Sequence, residues 1–325
     1  MESGAAVLRL FFQALTQDYL DLTLRGRSAA SARIIERPGL WMPEADIARL
    51  LADVRTVAAR ALPEGALHYG FLTGDQACLD RSVVTVLYHP GSGQPVAFNA
   101  LAIMDTTLHG RPVQVVHMGL VMVDPGVRNQ GFSWILYGLT CLVLFARNQL
   151  RPLWLSNVTQ VPAILGMVTE TFSNVFPSHE AKARRSFEHL LLARQIMTTH
   201  RAVFGVGPDA EFDEERFVII NAYTGGSDDL KKTFDEAPKH RDPVYNDFCA
   251  RELDYVRGDD VLQLCQLNLE SAKRFILKDV PRRSLPAVLA ALAFVLVGRA
   301  ILPLVYWLSS DRHWGILRPW RRKAQ

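Results

Sequence analysis

Apolar residues change their spacing along this chain, and the changes mark its elements. Leu8, Phe11, Phe12, Leu15, Tyr19 and Leu22 recur at helical intervals, which predicts an amphipathic helix over residues 5–24. Ile47, Leu50, Leu51, Val54, Val57 and Ala61 form a second helical stripe over 43–62, with Pro43 and Glu44 suited to its first turn. A short aromatic stretch at 66–72 reads as a first strand. The pattern then becomes β-branched. Residues 81–89 predict a strand, the Pro90-Gly91-Ser92-Gly93 turn closes it, and 94–103 supply its hairpin partner. After a second turn at 105–112, residues 113–123 read as one uninterrupted strand.

The stretch that follows organises the rest. Val123-Asp124-Pro125-Gly126-Val127-Arg128-Asn129-Gln130-Gly131-Phe132-Ser133 joins that strand to a long apolar helix pattern over 133–147. A strand, a loop rich in backbone donors and a helix start make an anion site, because first-turn N–H groups lack intrahelical acceptors and the helix dipole is positive there. Gly131 allows close backbone approach, and Arg128 adds a fixed charge. The other reading is a corner shaped by Gly and Pro. Downstream, 151–157 predict a buried strand and 160–172 a helix.

The spacing of Val123, Pro125, Arg128, Gly131, Ser133, Ile135 and Leu136 resembles the pyrophosphate-binding motif of the GNAT acyltransferase superfamily. The resemblance covers residues 80–175 well and 215–268 weakly. It implies an α+β fold with a mixed, mainly antiparallel sheet flanked by helices. It implies that the amides of Asn129, Gln130, Gly131, Phe132 and Ser133, with Arg128, hold the diphosphate of an acyl-coenzyme A co-substrate. It also implies a splayed strand at Val121 to Val123 that pairs with the donor's pantetheine arm and supplies an oxyanion N–H. Met167 stands where many members carry a tyrosine that reprotonates the leaving thiolate, and the motif strand has no carboxylate. His117 is the titratable side chain on that strand, and its ordinary pKa suits a base. Asn157, at the end of the next strand, is a candidate to orient the acceptor or a water. Both also read as structural residues.

Late in the chain, 178–201 predict a basic helix, 216–220 a strand, 225–242 a polar excursion, 244–256 a helix and 260–265 a last strand. Residues 285–308 are almost wholly apolar, Arg299 being the charge within them. At 1.5 Å per residue the run would extend about 36 Å, enough to cross a hydrocarbon core of about 30 Å. Arg299 would cost on the order of 2.5–3.5 kcal/mol at that depth. Basic residues flank both ends, so charge does not fix the orientation.

The expected organisation is an N-terminal helical region (1–65), a GNAT-like core (66–177), a helical and loop insertion (178–258), a last core strand with a basic juxtamembrane segment (259–283), a transmembrane helix (284–309) and a basic tail (310–325). The net charge of +3 is too small to argue for nucleic acid. Cys78, Cys141, Cys249 and Cys265 are widely spaced, which suits reduced thiols and neither disulfides nor a metal site. The expected activity is acyl transfer from acyl-coenzyme A to a small-molecule or lipid-linked amine, by a single-pass membrane protein whose globular part faces the cytoplasm. A domain that binds acyl-coenzyme A without turnover, and a membrane scaffold, are the alternatives.

Overall fold

The computed structural model describes residues 17–25, 30–62, 68–127, 132, 134–179 and 183–278. The apolar run at 285–308, the residues from 279 before it and the tail after it lie outside them. Among the described residues no helix is long and apolar enough to cross a membrane.

Strands β1 (Asp21–Arg25) and β2 (Ser31–Glu36) open the described chain. Helix α1 (Glu44–Ala61), a 3-10 turn (Gly70–Thr73) and the short α2 (Gln76–Leu79) follow. Then come β3 (Ser82–Tyr88), β4 (Pro95–Leu108), β5 (Arg111–His117) and β6 (Val121–Val123). A π-helical stretch (Trp134–Leu139) leads into α3 (Thr140–Arg147), β7 (Leu153–Thr159), α4 (Pro162–Thr171) and β8 (Ser173–Phe176). The remainder holds α5 (Phe187–Gln195), β9 (Glu211–Asp213), β10 (Val218–Ile220), α6 (Pro243–Glu252), β11 (Asp260–Leu267) and α7 (Leu269–Lys278).

These strands form one mixed, mainly antiparallel sheet in the order β1-β2-β3-β4-β5-β7-β11-β10-β9, with β6 beside β4 and β8 beside β11. Among the described pairings, β5 with β7 is the parallel one. Alternation along β4 sends Phe98, Ala100 and Met104 to one face and Leu101 and Ile103 to the other. Leu50, Val54 and Val57 of α1 cover part of the first face; Leu192, Ile196 and Phe204 cover the rest. On the second face α3 and α7 bring Leu142, Phe145, Ala272 and Ile276 against Leu101, Leu155 and Cys265. Each such aliphatic side chain removed from water contributes about 1.5–3 kcal/mol, which is what holds the helices on.

Several expected elements differ. The helix expected over 5–24 gives way, where described, to β1. Leu20 and Leu22 are buried on the sheet, and the Arg147 guanidinium bonds the carbonyls of Gln17 and Asp18 while pairing with Glu36 at 2.7 Å. Pairing of β1 with β2 outweighs the helical spacing there. Where described, from His68 on, the aromatic stretch at 66–72 contributes a 3-10 turn and no strand. β4 runs on to Leu108 because the turn is only His109-Gly110, both at positive φ, which matches the strands' twist. The helix expected from 178 starts at Phe187, where Ser186 and His189 form a reciprocal cap. The 178–258 stretch extends the sheet through β9 and β10. The strand expected over 113–123 is broken between His117 and Val121.

Candidate active site

That break builds the site. β5 and β7 share three parallel rungs, Val115 with Trp154, Val116 with Leu155 and His117 with Ser156. One further bond, from Met118 N to Ser156 O (2.8 Å), ends the pairing. Beyond it the chain bulges by one residue but stays on β4, where Val121, Met122 and Val123 pair with Asn99, Phe98 and Ala97. β7 continues beside β11 as far as Thr159. Two parallel neighbours therefore separate at their carboxyl ends and open a wedge. Gly119 makes the bend possible: a Cβ there would stand 2.4 Å from Ala100 O.

The π-helical stretch and the start of α3 are tied to β3 and β4 by buried polar groups. Asn99, fully buried, accepts from Thr85 N and donates to Leu136 O within the π-helical stretch. The Thr85 and Thr140 hydroxyls lie 2.7 Å apart. Phe132 packs with Ala97 and Leu136 on that side.

On the first face, beside the wedge, lies a cavity of about 210 Å³. Its floor is Ala100, Ala102, Gly119 and His117; along β4 the two alanines stand between the bulkier Phe98 and Met104, and the side-chain volume missing there opens the cavity. The 3-10 turn around Gly70 and Phe71 forms one wall, Cys78 and Arg81 a second, and His200 and Val203 a third. An apolar cavity of about 150 Å³ takes up benzene, so this one admits a benzyl-sized group.

His117 is buried in the floor. Its Nδ1 is 3.0 Å from Ser156 Oγ, and its ring lies 5.0 Å from that of Phe204. Burial pushes its pKa down to about 4, so the imidazole is uncharged at neutral pH. Burial raises the Tyr69 phenol far above its ordinary range. The Cys78 thiol is also raised, again chiefly by burial, which keeps it from acting as a thiolate.

Among the residues expected at a site, His117 and the half-buried Val121 and Val123 are brought to the wedge, the last two with Phe132 against them. Arg128, Asn129, Gln130, Gly131 and Ser133 lie outside the described residues. Asn157 is on the opposite face from His117, because it alternates with Ser156 along β7. Its Nδ2 donates to Gln263 Oε1 (3.3 Å), and Gln263 donates onward to Thr169 Oγ1 and Pro177 O. Tyr69, Arg81 and His200 had no sequence signal, since they reach the cavity from segments remote from the motif. Among the described residues no group of His, Cys, Asp or Glu is arranged to hold a metal ion.

No family model and no curated protein matches the chain. Among solved structures, a mutant AtaT toxin bound to the C-terminus of its antitoxin AtaR and acetyl-CoA is 13% identical, over 28% of this chain and 59% of that one, with a TM-score of 0.24. A tetramutant of the Bacillus halodurans protein BH1408 is 14% identical, over 36% and 76%, at 0.23. A GCN5-related glucosamine N-acetyltransferase region of a fungal multi-domain β-N-acetylglucosaminidase is 15% identical, over 41% and 14%, at 0.22. The chain thus spans less than two thirds of the toxin's length, and likenesses this slight assign neither fold nor activity.

Proposed function

We propose that this protein moves an acyl group from an acyl-coenzyme A thioester to an amine held in the cavity beside His117. The observation that carries the reading is the parting of two parallel strands directly after His117 and Ser156, one short strand before the Pro125–Ser133 loop. The thioester arm runs along β6 in the wedge, and the loop amides with Arg128 take the diphosphate. A backbone N–H at the bend stabilises the oxyanion as the amine nitrogen bonds the thioester carbon. The C–S bond then breaks, the thiolate leaves, and the amine's surplus proton passes to His117. Burial keeps the imidazole neutral and so able to accept, but with a pKa of about 4 it is a weak base that passes the proton on to solvent or thiolate.

The apolar run at 285–308 supports anchoring to a membrane with the catalytic part on the cytoplasmic side, where acyl-coenzyme A is found. A long acyl chain or a lipid-linked amine suits that placement. Binding without turnover is the second reading, favoured by Met167 at the position where a proton-donating tyrosine is expected.

Calorimetry of coenzyme A on the full-length chain, wild type beside Arg128→Glu, tests the donor site. Micromolar binding lost on charge reversal is expected; a folded wild type that ignores coenzyme A would remove the reading. Thiol release from acetyl-CoA and palmitoyl-CoA then separates turnover from binding alone, and exclusive use of the short donor would exclude the long-chain version.

A further inference from the structure

One row of the sheet runs beneath the cavity. Ser82, Ala102, His117 and Ser156 are successive partners across β3, β4, β5 and β7, so their side chains share a face. Directly opposed residues hold their Cβ atoms about 4.5–5.5 Å apart, which makes Ala102 the immediate neighbour of the imidazole. Ser82, Ala102 and His117 all line the cavity. The Ser82 hydroxyl turns aside to donate to Cys78 O at 2.6 Å, and His117 Nδ1 lies against Ser156 Oγ. His117 Nε2 has no partner among the described residues, yet it is not one of the side-chain atoms enclosed without a partner there, which are His179 Nδ1 and His200 Nδ1. It therefore faces open space, and the cavity is the space that His117 lines.

The space above Ala102 exists because that residue is small. Phe98 and Met104, the large side chains on the same face of β4, are buried in the clusters to either side. A leucine at 102 would stand over the His117 ring, in the volume of about 210 Å³ that is now open. The walls are firmly packed. Phe71 and Leu72 are 4% and 7% exposed and belong to the cluster under α1, while Val203 packs with Leu192 and Ile196. The lining is mostly apolar, and among the described lining residues none is Asp or Glu. A second ammonium group on a ligand would lose its hydration there with no carboxylate to compensate it, and Arg81 at the exposed side would repel it. One amine, shed of its proton before transfer, is what such a lining tolerates.

We propose that the acceptor is a primary monoamine whose body is apolar and no larger than about a benzyl group, and that Ala102 sets this limit. The amine nitrogen lies toward His117 Nε2, and the apolar body occupies the space that a larger residue at 102 would fill. The words acceptor and amine rest on the acyl-transfer reading. The size limit and the role of residue 102 rest on the sheet row and the cavity alone.

The test uses the full-length chain, wild type beside Ala102→Leu. Thiol release from acetyl-CoA gives kcat/KM for ethylamine, benzylamine, naphthylmethylamine and spermidine. Wild type should prefer benzylamine to each of the others by about tenfold or more, its ring gaining from burial what ethylamine lacks. In Ala102→Leu the ratio of benzylamine to ethylamine should fall about tenfold, because the leucine takes the ring's place, while coenzyme A affinity holds. Toluene titrated by calorimetry reads the cavity without any transfer: wild type should take it up and Ala102→Leu should not. Wild-type preference for naphthylmethylamine or spermidine, an unchanged amine ratio in the variant, or toluene bound alike by both proteins or by neither would overturn the proposal. Should Ala102→Leu not fold, Ala102→Val carries the same comparison with a smaller shift, and the wild-type ranking of amines decides on its own. Toluene uptake lost in the variant, but no thiol release with any amine, would overturn the acyl-transfer reading while upholding residue 102 as the limit on what the cavity admits, so the two readings fail separately.

Discussion

The His117 imidazole and the Ser156 hydroxyl stand 3.0 Å apart on the last rung that β5 and β7 share. Past this pair the strands separate, so the hydrogen bond fixes the ring orientation where the wedge begins. Ser156→Ala removes that restraint and a buried partner. Turnover is expected to fall at least tenfold while coenzyme A affinity holds, read from kcat beside a calorimetric Kd. Equal loss of both would mean that the serine serves the sheet as a whole.

His117 also makes stability depend on pH. Its folded pKa is about 4, below the ordinary value near 6.5, so the fold prefers the uncharged ring. Above pH ~6.5 both folded and unfolded chains hold the ring neutral and the full stability is present. As pH falls from there toward about 4 the unfolded chain takes the proton first, and stability drops by up to about 1.4 kcal/mol per unit. His117→Gln should flatten that part of a denaturation–pH profile.

Asp260 produces the opposite slope. It is buried at the start of β11, and burial pushes its carboxyl up to about 8 although the Tyr223 hydroxyl bonds it at 3.0 Å. Its neighbour Asp259 goes the other way: burial would raise it, but hydrogen bonds from Arg257 and backbone amides hold it low. For Asp260 the favourable state is the protonated one, fully present below the unfolded pKa near 4 and lost as pH rises toward about 8. Asp260→Asn, a permanent mimic of that state, should be more stable than wild type at pH 8 and close to it at pH 4. A variant weaker at both would show that the carboxyl is needed for its shape rather than its proton.

Gly119→Ala tests the bend. Its Cβ would press on Ala100 O from 2.4 Å, against backbone that cannot rotate away. A cost of about 1–3 kcal/mol is expected in chemical denaturation, together with weakened coenzyme A binding as the wedge shifts. Gly93, where an added Cβ would meet nothing within 4 Å, is the control, although its positive φ adds a backbone cost of its own.

Asn157 separates structure from chemistry. Asn157→Leu leaves Gln263 Oε1 without the donor it has now, at a cost of roughly 1–3 kcal/mol. Activity per folded molecule should change little, because the side chain is on the face away from the cavity. Wild-type stability with lost turnover would instead put Asn157 at the reaction.

Much of the scaffold was legible locally. The stripe of Leu50, Val54 and Val57 is the buried face of α1, and the apolar run at 260–265 lies within β11. Both patterns follow from one-sided or two-sided burial, which periodicity reports directly. The strand at 113–123 could not be read as two, because its apolar character continues through the bend. Periodicity records which face a residue uses and carries no record of when a neighbouring strand departs. The first segment misled for a related reason: Leu22 completes the helical stripe, but Leu20 and Leu22 are buried together as only a strand's alternation allows, and Arg147 with Glu36 ties the segment to the sheet.

By itself the sequence determined the hairpin strands β3 and β4, the buried stripe of α1, the last strand β11 and the histidine on the strand before the motif, each reported by its own local pattern of burial. The tertiary structure alone decided that His117 shares a cavity with His200 and Tyr69, and that Asn157 does not. Those outcomes depend on which strands pair and which face each residue takes. Such long-range pairings are selected by the burial of whole surfaces, and no local spacing encodes them.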